Sequence, residues 1–199
     1  MHLYINTTSP FVRMVRIAIA EKGLSAKVKA EVVNPWEDSP AFLKANPAGR
    51  VPALTTDSGS AISESSLILR YLDHIAPSPA IWPQDGLGAT LATAGHAIGA
   101  IEAAVAIIIG RKSNEQFDTA MVGQRRYRTM ADAFARLNAS PPRGMDERVD
   151  IANIAAATAL DYVIFRFPDR DWLGGLPALK AWRERHRNRP SLVQTYPHV

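Results

Sequence analysis

The sequence predicts an α/β domain of element order β-α-β-α-β-β-α, followed by an all-helical domain. Three observations carry this. Up to about residue 76, short β-like runs take turns with runs of helical period. Residues 77–86, "PSPAIWPQDG", hold three prolines and no period, and read as a connection. Beyond them every periodic stretch is helical. The expected boundaries are therefore 1–76 for the first domain, 77–87 for the linker and 88–199 for the second.

Each element has its own signal. "HLYIN" (2–6) is a short strand. Residues 10–22 form a helix, with Pro10 at the first helical position, Ser9 as its N-cap and Gly23 as a left-handed stop. "AKVKAEVV" (26–33) alternates Val28, Ala30 and Val32 with charged neighbours, the sign of a half-buried strand. "SPAFLKAN" (39–46) is a short helix or turn. "VPALTT" (51–56) and "GSAIS" (59–63) are two strands joined tightly through Asp57-Ser58-Gly59, a hairpin. Residues 64–76 carry Ile68, Tyr71, Leu72 and Ile75 at amphipathic helical spacing.

In the second domain, 87–111 is a long helix rich in Ala and Gly. The next helix, 115–138, has Tyr127, Met130, Phe134 and Leu137 on one stripe, which reads as core. "SPPRG" (140–144) breaks the chain. The helix at 149–167 is apolar nearly all round and hence buried, with Asp150 as N-cap and Asn153 as its capping partner. A last helix covers 176–187.

Composition narrows the function classes. The 199 residues are 47% hydrophobic and 21% charged, as in a soluble globular protein. The longest apolar candidate, 97–110, is interrupted by Glu102, so no bilayer-spanning stretch is expected. The start of the chain lacks a signal-peptide pattern, and a cytoplasmic protein is expected. With no cysteine there is no disulfide, no thiolate metal site and no cysteine nucleophile. The net charge of +4 is spread out. Its one dense stretch, "RERHRNR" (183–189), reads as a solvated helix face, and no basic surface interleaved with aromatics points to nucleic acid. The five histidines show no triad spacing, which sets aside a serine hydrolase.

Four stretches in order resemble the glutathione transferase family over essentially the whole chain. "SPFVRMVRIAIAEKGL" (9–24) is similar to the first helix of the serine-type classes. "NPAGRVPAL" (46–54) is close to the family's Asn-Pro-x-Gly-Lys-Val-Pro-x-Leu, with Arg50 for the commoner Lys. "ISESSLILRYL" (62–72) holds its Glu-Ser pair, and "LPALKAWRERHRNRPS" (176–191) is similar to its last helix. The chain looks like a bacterial-type member with a tau- and zeta-like N-terminal motif, although the zeta Ser-Ser-Cys signature is absent. Asp150-Ile-Ala-Asn153 replaces the usual Ser/Thr-x-x-Asp with cap and partner exchanged, and is expected to cap all the same.

The resemblance implies a thioredoxin-like N-terminal domain, an all-helical C-terminal domain, a homodimer, and glutathione as co-substrate in conjugating, detoxifying chemistry. Ser9 would donate a hydrogen bond to the glutathione sulfur; read from the residues alone, it is a helix cap. Val51 and Pro52 would form a cis bond that presents the Val51 backbone to the cysteinyl unit. Glu64 and Ser65 would hold the γ-glutamyl group; read alone, they complement a helix start. Trp36, Lys44 and Arg50 are candidates for the glycine carboxylate. Phe11 and the helix from His96 to Arg111 would line the electrophile side. Tyr4 is the rival hydroxyl. An interaction module without turnover, and another glutathione-dependent enzyme such as a dehalogenase, isomerase or peroxidase, remain alternatives.

Overall fold

The computed structural model describes residues Met1 to Val199. The first half runs β1 (His2–Ile5), α1 (Pro10–Glu21), β2 (Lys29–Val32), α2 (Pro40–Ala45), β3 (Ala53–Thr55), β4 (Ala61–Ser63) and α3 (Ser65–Ile75). The strands form one mixed sheet in the order β2-β1-β3-β4. β1 runs parallel to β2 and antiparallel to β3, and β3 runs antiparallel to β4. The expected hairpin is there. Gly59, at φ +85°, makes its turn, and Thr56 N–H donates to Ser60 O at 2.9 Å. α1 and α3 pack together and bury Met14, Val15, Ile17, Ala18, Ile68, Leu69 and Leu72.

β2 departs from the sequence reading. All four of its residues are exposed, and Val32 is 65% exposed. The period-2 alternation is real, but β2 is an edge strand and neither of its faces is covered. Alternation signals a strand without showing which face another layer will cover.

The remaining helices are α4 (Leu87–Ser113), α5 (Met121–Ala139), α6 (Ile151–Arg166), α7 (Pro177–His186) and the short α8 (Pro190–Val193). α4 packs against α5 and α6, and α5 against α7. The stripe Tyr127, Met130, Phe134 and Leu137 is core. α6 is buried from Ile151 through Val163. Its capping box forms with the exchanged residues: Asp150 Oδ1 accepts from Asn153 N at 3.2 Å, while Asn153 Oδ1 accepts from Asp150 N at 3.0 Å. Asn138 of α5 caps α7 by accepting from Ala178 N and Leu179 N.

Two expectations about α4 and α5 need correction. α4 is the one helix long and apolar enough, by length and composition, to cross a membrane, whereas the sequence reading found no such stretch. Ala, Val and Ile from Ala103 to Ile109 extend the apolar run past Glu102. Its buried face, Ala97, Ala100, Ile101, Ala104 and Ile107, lies in the helical core. α5 starts at Met121 and not at 115. The connection before it is compact: the Phe117 ring packs over Gly110, and its backbone lies against Gly123.

By packing, Met1–Trp82 and Arg189–Val199 form one unit, and Pro83–Asn188 the other. The sequence reading ran the helical domain to residue 199. The tail instead packs on α1, because Glu21 accepts from Arg189 Nε at 2.6 Å and from Arg189 Nη2 at 2.8 Å.

Candidate functional site

The strand register gathers the singled-out residues. Tyr4 pairs with Ala53, and Ala53 with Ser63. Ile5 pairs with Val32 in the parallel direction. The C-terminal ends of β1, β2 and β4 and the N-terminal end of β3 therefore share one end of the sheet. From that end leave the loop to Ser9, the segment to Trp36, the turn entering through Val51-Pro52, and Glu64-Ser65 at the start of α3.

Ser9 is the N-cap of α1, in extended backbone (φ −78°, ψ 123°), and its Oγ accepts from Val12 N at 3.3 Å. The bond is long for a cap, and it uses an oxygen lone pair while leaving the hydroxyl proton for another acceptor. Asn6, which the sequence reading passed over, shapes the approach. Its Oδ1 accepts from Thr8 Oγ1 at 2.7 Å and from Thr8 N at 3.1 Å, and its carbonyl accepts from Ser9 N at 3.1 Å. Phe11 sits half-buried in the first turn of α1.

The ring of the rival, Tyr4, is in the core. Tyr4 is 8% exposed and packs with Phe42 and Ala53, with Val33, Ala45 and Val51 beside them. Its ring stacks on His2 and lies tilted to Phe42.

The Val51-Pro52 peptide is cis. The turn that delivers it is organised by Asn46, the first residue of the motif and itself buried. Asn46 Nδ2 donates to Arg50 O at 2.6 Å, its Oδ1 accepts from Ala48 N at 3.1 Å, and its carbonyl accepts from Gly49 N at 2.9 Å. Gly49 has φ +62°, a conformation that a side chain would strain. An Asn followed by a Pro and a Gly is an Asx-turn signal, so this role was legible in the sequence.

Glu64 stands at the N-terminus of α3 with φ +68° and ψ 122°, a region that a non-glycine residue occupies at a cost of about 1–3 kcal/mol. Its side chain makes no capping bond. Glu64 Oε1 instead accepts from Arg50 Nη2 at 3.0 Å, so two of the predicted residues are joined across the end of the sheet. The Glu64 carbonyl accepts from Leu67 N and Ile68 N, which leaves the earlier amides of α3 outside the helical ladder. Ser65, 7% exposed, is the first residue of that helix. The end of the sheet thus combines a hydroxyl at one helix start, an amide-rich start of a second helix, one carboxylate and one guanidinium. Together these suit a small zwitterion with an acidic side group. Trp36 is 65% exposed, and Lys44 is exposed on α2.

Comparison with known proteins gives the same direction. Residues 8–75 match the family model described as the glutathione S-transferase N-terminal domain, and residues 98–185 match the glutathione S-transferase C-terminal domain. The chain is 28% identical to the uncharacterized GST-like protein YibF of Escherichia coli, over 99% of this chain and 98% of that protein. It is 39% identical to maleylacetoacetate isomerase of Pseudomonas aeruginosa over 44% of this chain and 42% of that protein. Among solved structures, a glutathione transferase family member from Pseudomonas fluorescens Pf-5 with bound glutathione superposes with a TM-score of 0.86 at 30% identity, covering 100% of this chain and 99% of that one. A glutathione S-transferase from Methylobacterium radiotolerans in complex with glutathione sulfonate gives 0.88 at 30% identity, with 100% and 95% coverage.

Proposed function

The chain belongs to the glutathione S-transferase family, and from that premise we propose that it binds glutathione at the end of its sheet and activates the thiol as a thiolate for attack on an electrophile. The observation that carries this reading is the register Tyr4–Ala53–Ser63, which brings Ser9, Val51-Pro52 and Glu64-Ser65 to one place. The amides opening α3 and the Ser65 hydroxyl take the γ-glutamyl carboxylate, and Glu64 takes its ammonium. The backbone of Val51 pairs with the cysteinyl unit as an added strand. Trp36, Lys44 and Arg50 are the candidates for the glycine carboxylate, and the contact with Glu64 sets Arg50 toward the γ-glutamyl end.

Ser9 donates its free proton to the sulfur. A free thiol titrates near pH 8.5. Lowering that by about 2 units needs roughly 2.7 kcal/mol of preference for the thiolate. One charge-assisted hydrogen bond and the start of α1 supply an effect of that size. The thiol proton leaves to solvent. The sulfur lone pair forms the new S–C bond, and the displaced electron pair departs with the leaving group or settles on the acceptor. Ser9 is not consumed. Phe11 lines the electrophile side. The protein acts in the cytoplasm as a homodimer, and the partly exposed apolar residues Leu87 and Leu91 of α4 suit such a contact.

A second reading has one observation behind it. The 39% identity to maleylacetoacetate isomerase favours glutathione-dependent isomerisation. The chain lacks a cysteine beside Ser9, which distinguishes it from the zeta signature. Both readings use the same thiolate.

The test is retention on immobilised glutathione, then thiolate absorbance against pH for wild type beside Ser9→Ala. Retention with a titration midpoint that rises by about 1 to 2 units in Ser9→Ala is expected, short of the full shift because the start of α1 remains. Absence of binding leaves an interaction module. Binding with a midpoint indifferent to Ser9 returns that residue to a cap. A panel of electrophiles, with maleylacetoacetate among them, then separates conjugation from isomerisation.

A further inference from the structure

Ser9 opens α1, and the last stretch of the chain is stitched along that same helix. At the C-terminal end of α1, Glu21 accepts two hydrogen bonds from Arg189, Nε at 2.6 Å and Nη2 at 2.8 Å, and a third, short one from Ser191 Oγ. In the middle, Arg16 Nη2 donates to Gln194 O at 3.1 Å. One turn after Ser9, Arg13 Nη2 donates to Leu192 O at 3.3 Å, and its guanidinium lies 5.5 Å from the centre of the Tyr196 ring. Arg13 is only 3% exposed, and its amide also donates to Ser9 O at 3.0 Å. The tail thus runs antiparallel to α1 and meets it with complementary charge. A carboxylate receives the start of α8, and two guanidiniums receive the carbonyls at its end.

Arginine and glutamate rarely sit inside a protein without partners. Here three of them on one helix spend hydrogen-bonding capacity on a single segment, and the conjugation chemistry above uses none of the three. A helix is stiff, so what fixes its length also fixes its cap. Hydrogen-bond strength falls steeply with distance and angle, and misplacement of a reacting group by about 1 Å costs on the order of a hundredfold in rate.

We infer that Arg189, through Glu21, is a positioning residue for Ser9: the tail from Arg189 to Val199 is a strap that sets where the residue-9 hydroxyl meets the thiol. This rests on the function proposed above. Lys22 is a separate fixture of the same helix end, held by Asp73 and by the carbonyls of Ala76 and Pro79. Loss of the strap therefore loosens α1 without freeing it.

The experiment uses the full chain with glutathione bound, and compares wild type, Arg189→Met, Arg189→Lys and Ser9→Ala. Two quantities are read: retention on immobilised glutathione, and the thiolate absorbance midpoint against pH. In Arg189→Met, retention persists and the midpoint rises by about 1 unit, a tenfold loss of thiolate at a fixed pH below it. Arg189→Lys restores part of the shift. An unchanged midpoint in Arg189→Met, with only a lower melting temperature, overturns the inference and makes the strap a structural clamp. A midpoint unmoved by Ser9→Ala overturns the underlying reading as well, and that signature is distinct. If Arg189→Met fails to fold, Ser191→Ala removes one of the three bonds to Glu21, and the same comparison is made with a smaller expected shift.

Discussion

Lys22 Nζ lies 2.8 Å from Asp73 Oδ1, with the lysine side chain fully buried and the aspartate nearly so. Asp73 Oδ1 also accepts from Ile81 N at 2.8 Å, and Lys22 donates to the Ala76 and Pro79 carbonyls. The pair therefore joins the end of α1, the end of α3 and the segment that follows it. Breaking one side of a buried, hydrogen-bonded pair strands the other charge.

Lys22→Met accordingly costs about 3–5 kcal/mol of stability, read by urea unfolding. The double variant Lys22→Met/Asp73→Asn loses less than the sum of the two single variants, because no charge is left buried alone. Additive losses refute the coupling.

Glu21 gives the stability a pH dependence. Burial pushes its carboxyl up, but the hydrogen bonds from Arg189 and Ser191 and the guanidinium charge outweigh burial and hold it below its ordinary value. A group whose folded pKa is depressed adds stability above its unfolded pKa, and that stability is lost as the pH falls through the folded value. Wild type is thus expected to lose melting temperature in acid more steeply than Glu21→Gln. Parallel curves below the ordinary glutamate range contradict this.

Two glycines of the helical unit give opposite outcomes. A methyl built on Gly123 meets Phe117 O at 1.8 Å, an atom fixed in the backbone. Gly123→Ala therefore moves the connection before α5. It also disturbs the adjoining cluster, in which Arg111 Nη2 lies 2.6 Å from Asp118 Oδ2 and Tyr127 Oη donates to the same oxygen at 2.8 Å. A loss of at least about 2 kcal/mol is expected, within the range of overpacked sites. Gly95 in α4 has nothing within 4 Å of such a methyl, and Gly95→Ala gains up to about 1 kcal/mol from helix propensity. Thermal unfolding of both variants reads the contrast.

Glu64 joins strain to binding. Glycine has no Cβ to clash at φ +68°. Glu64→Gly is therefore expected to stabilise the ligand-free protein while retention on glutathione falls by tenfold or more. The lost contact with Arg50 offsets little of the gain, because both side chains are largely exposed and such pairs contribute at most about 1 kcal/mol. A variant that is less stable and equally retentive counts against both parts.

What the sequence revealed was mostly local. Ser9-Pro10 announces the start of α1, and Asp150 with Asn153 announces the start of α6, because a cap is read within four residues. The order of elements followed from periodicity alone. Two kinds of feature escaped. Periodicity finds β2 but cannot show that nothing lies on either face of an edge strand. Long-range pairing leaves no local trace: Arg189 and Glu21 are 168 residues apart in the chain. "RERHRNR" (183–189) read as a solvated face, yet Arg183 Nε donates to Asp161 at 2.8 Å and His186 is 3% exposed. Charge runs look alike whether their partners are water or a distant carboxylate. Asn6 and Asn46 are of neither kind: they are visible as turn residues but outranked by the hydroxyl and the proline beside them.

The strap on α1 also bears on biosynthesis. The residues that complete the sheet-containing unit are the last of this sequence to leave the ribosome. A nascent chain stalled before Arg189 would carry Arg13, Arg16 and Glu21 on a helix face still waiting for its cover, so the sheet-containing unit is finished only after the helical unit has been made.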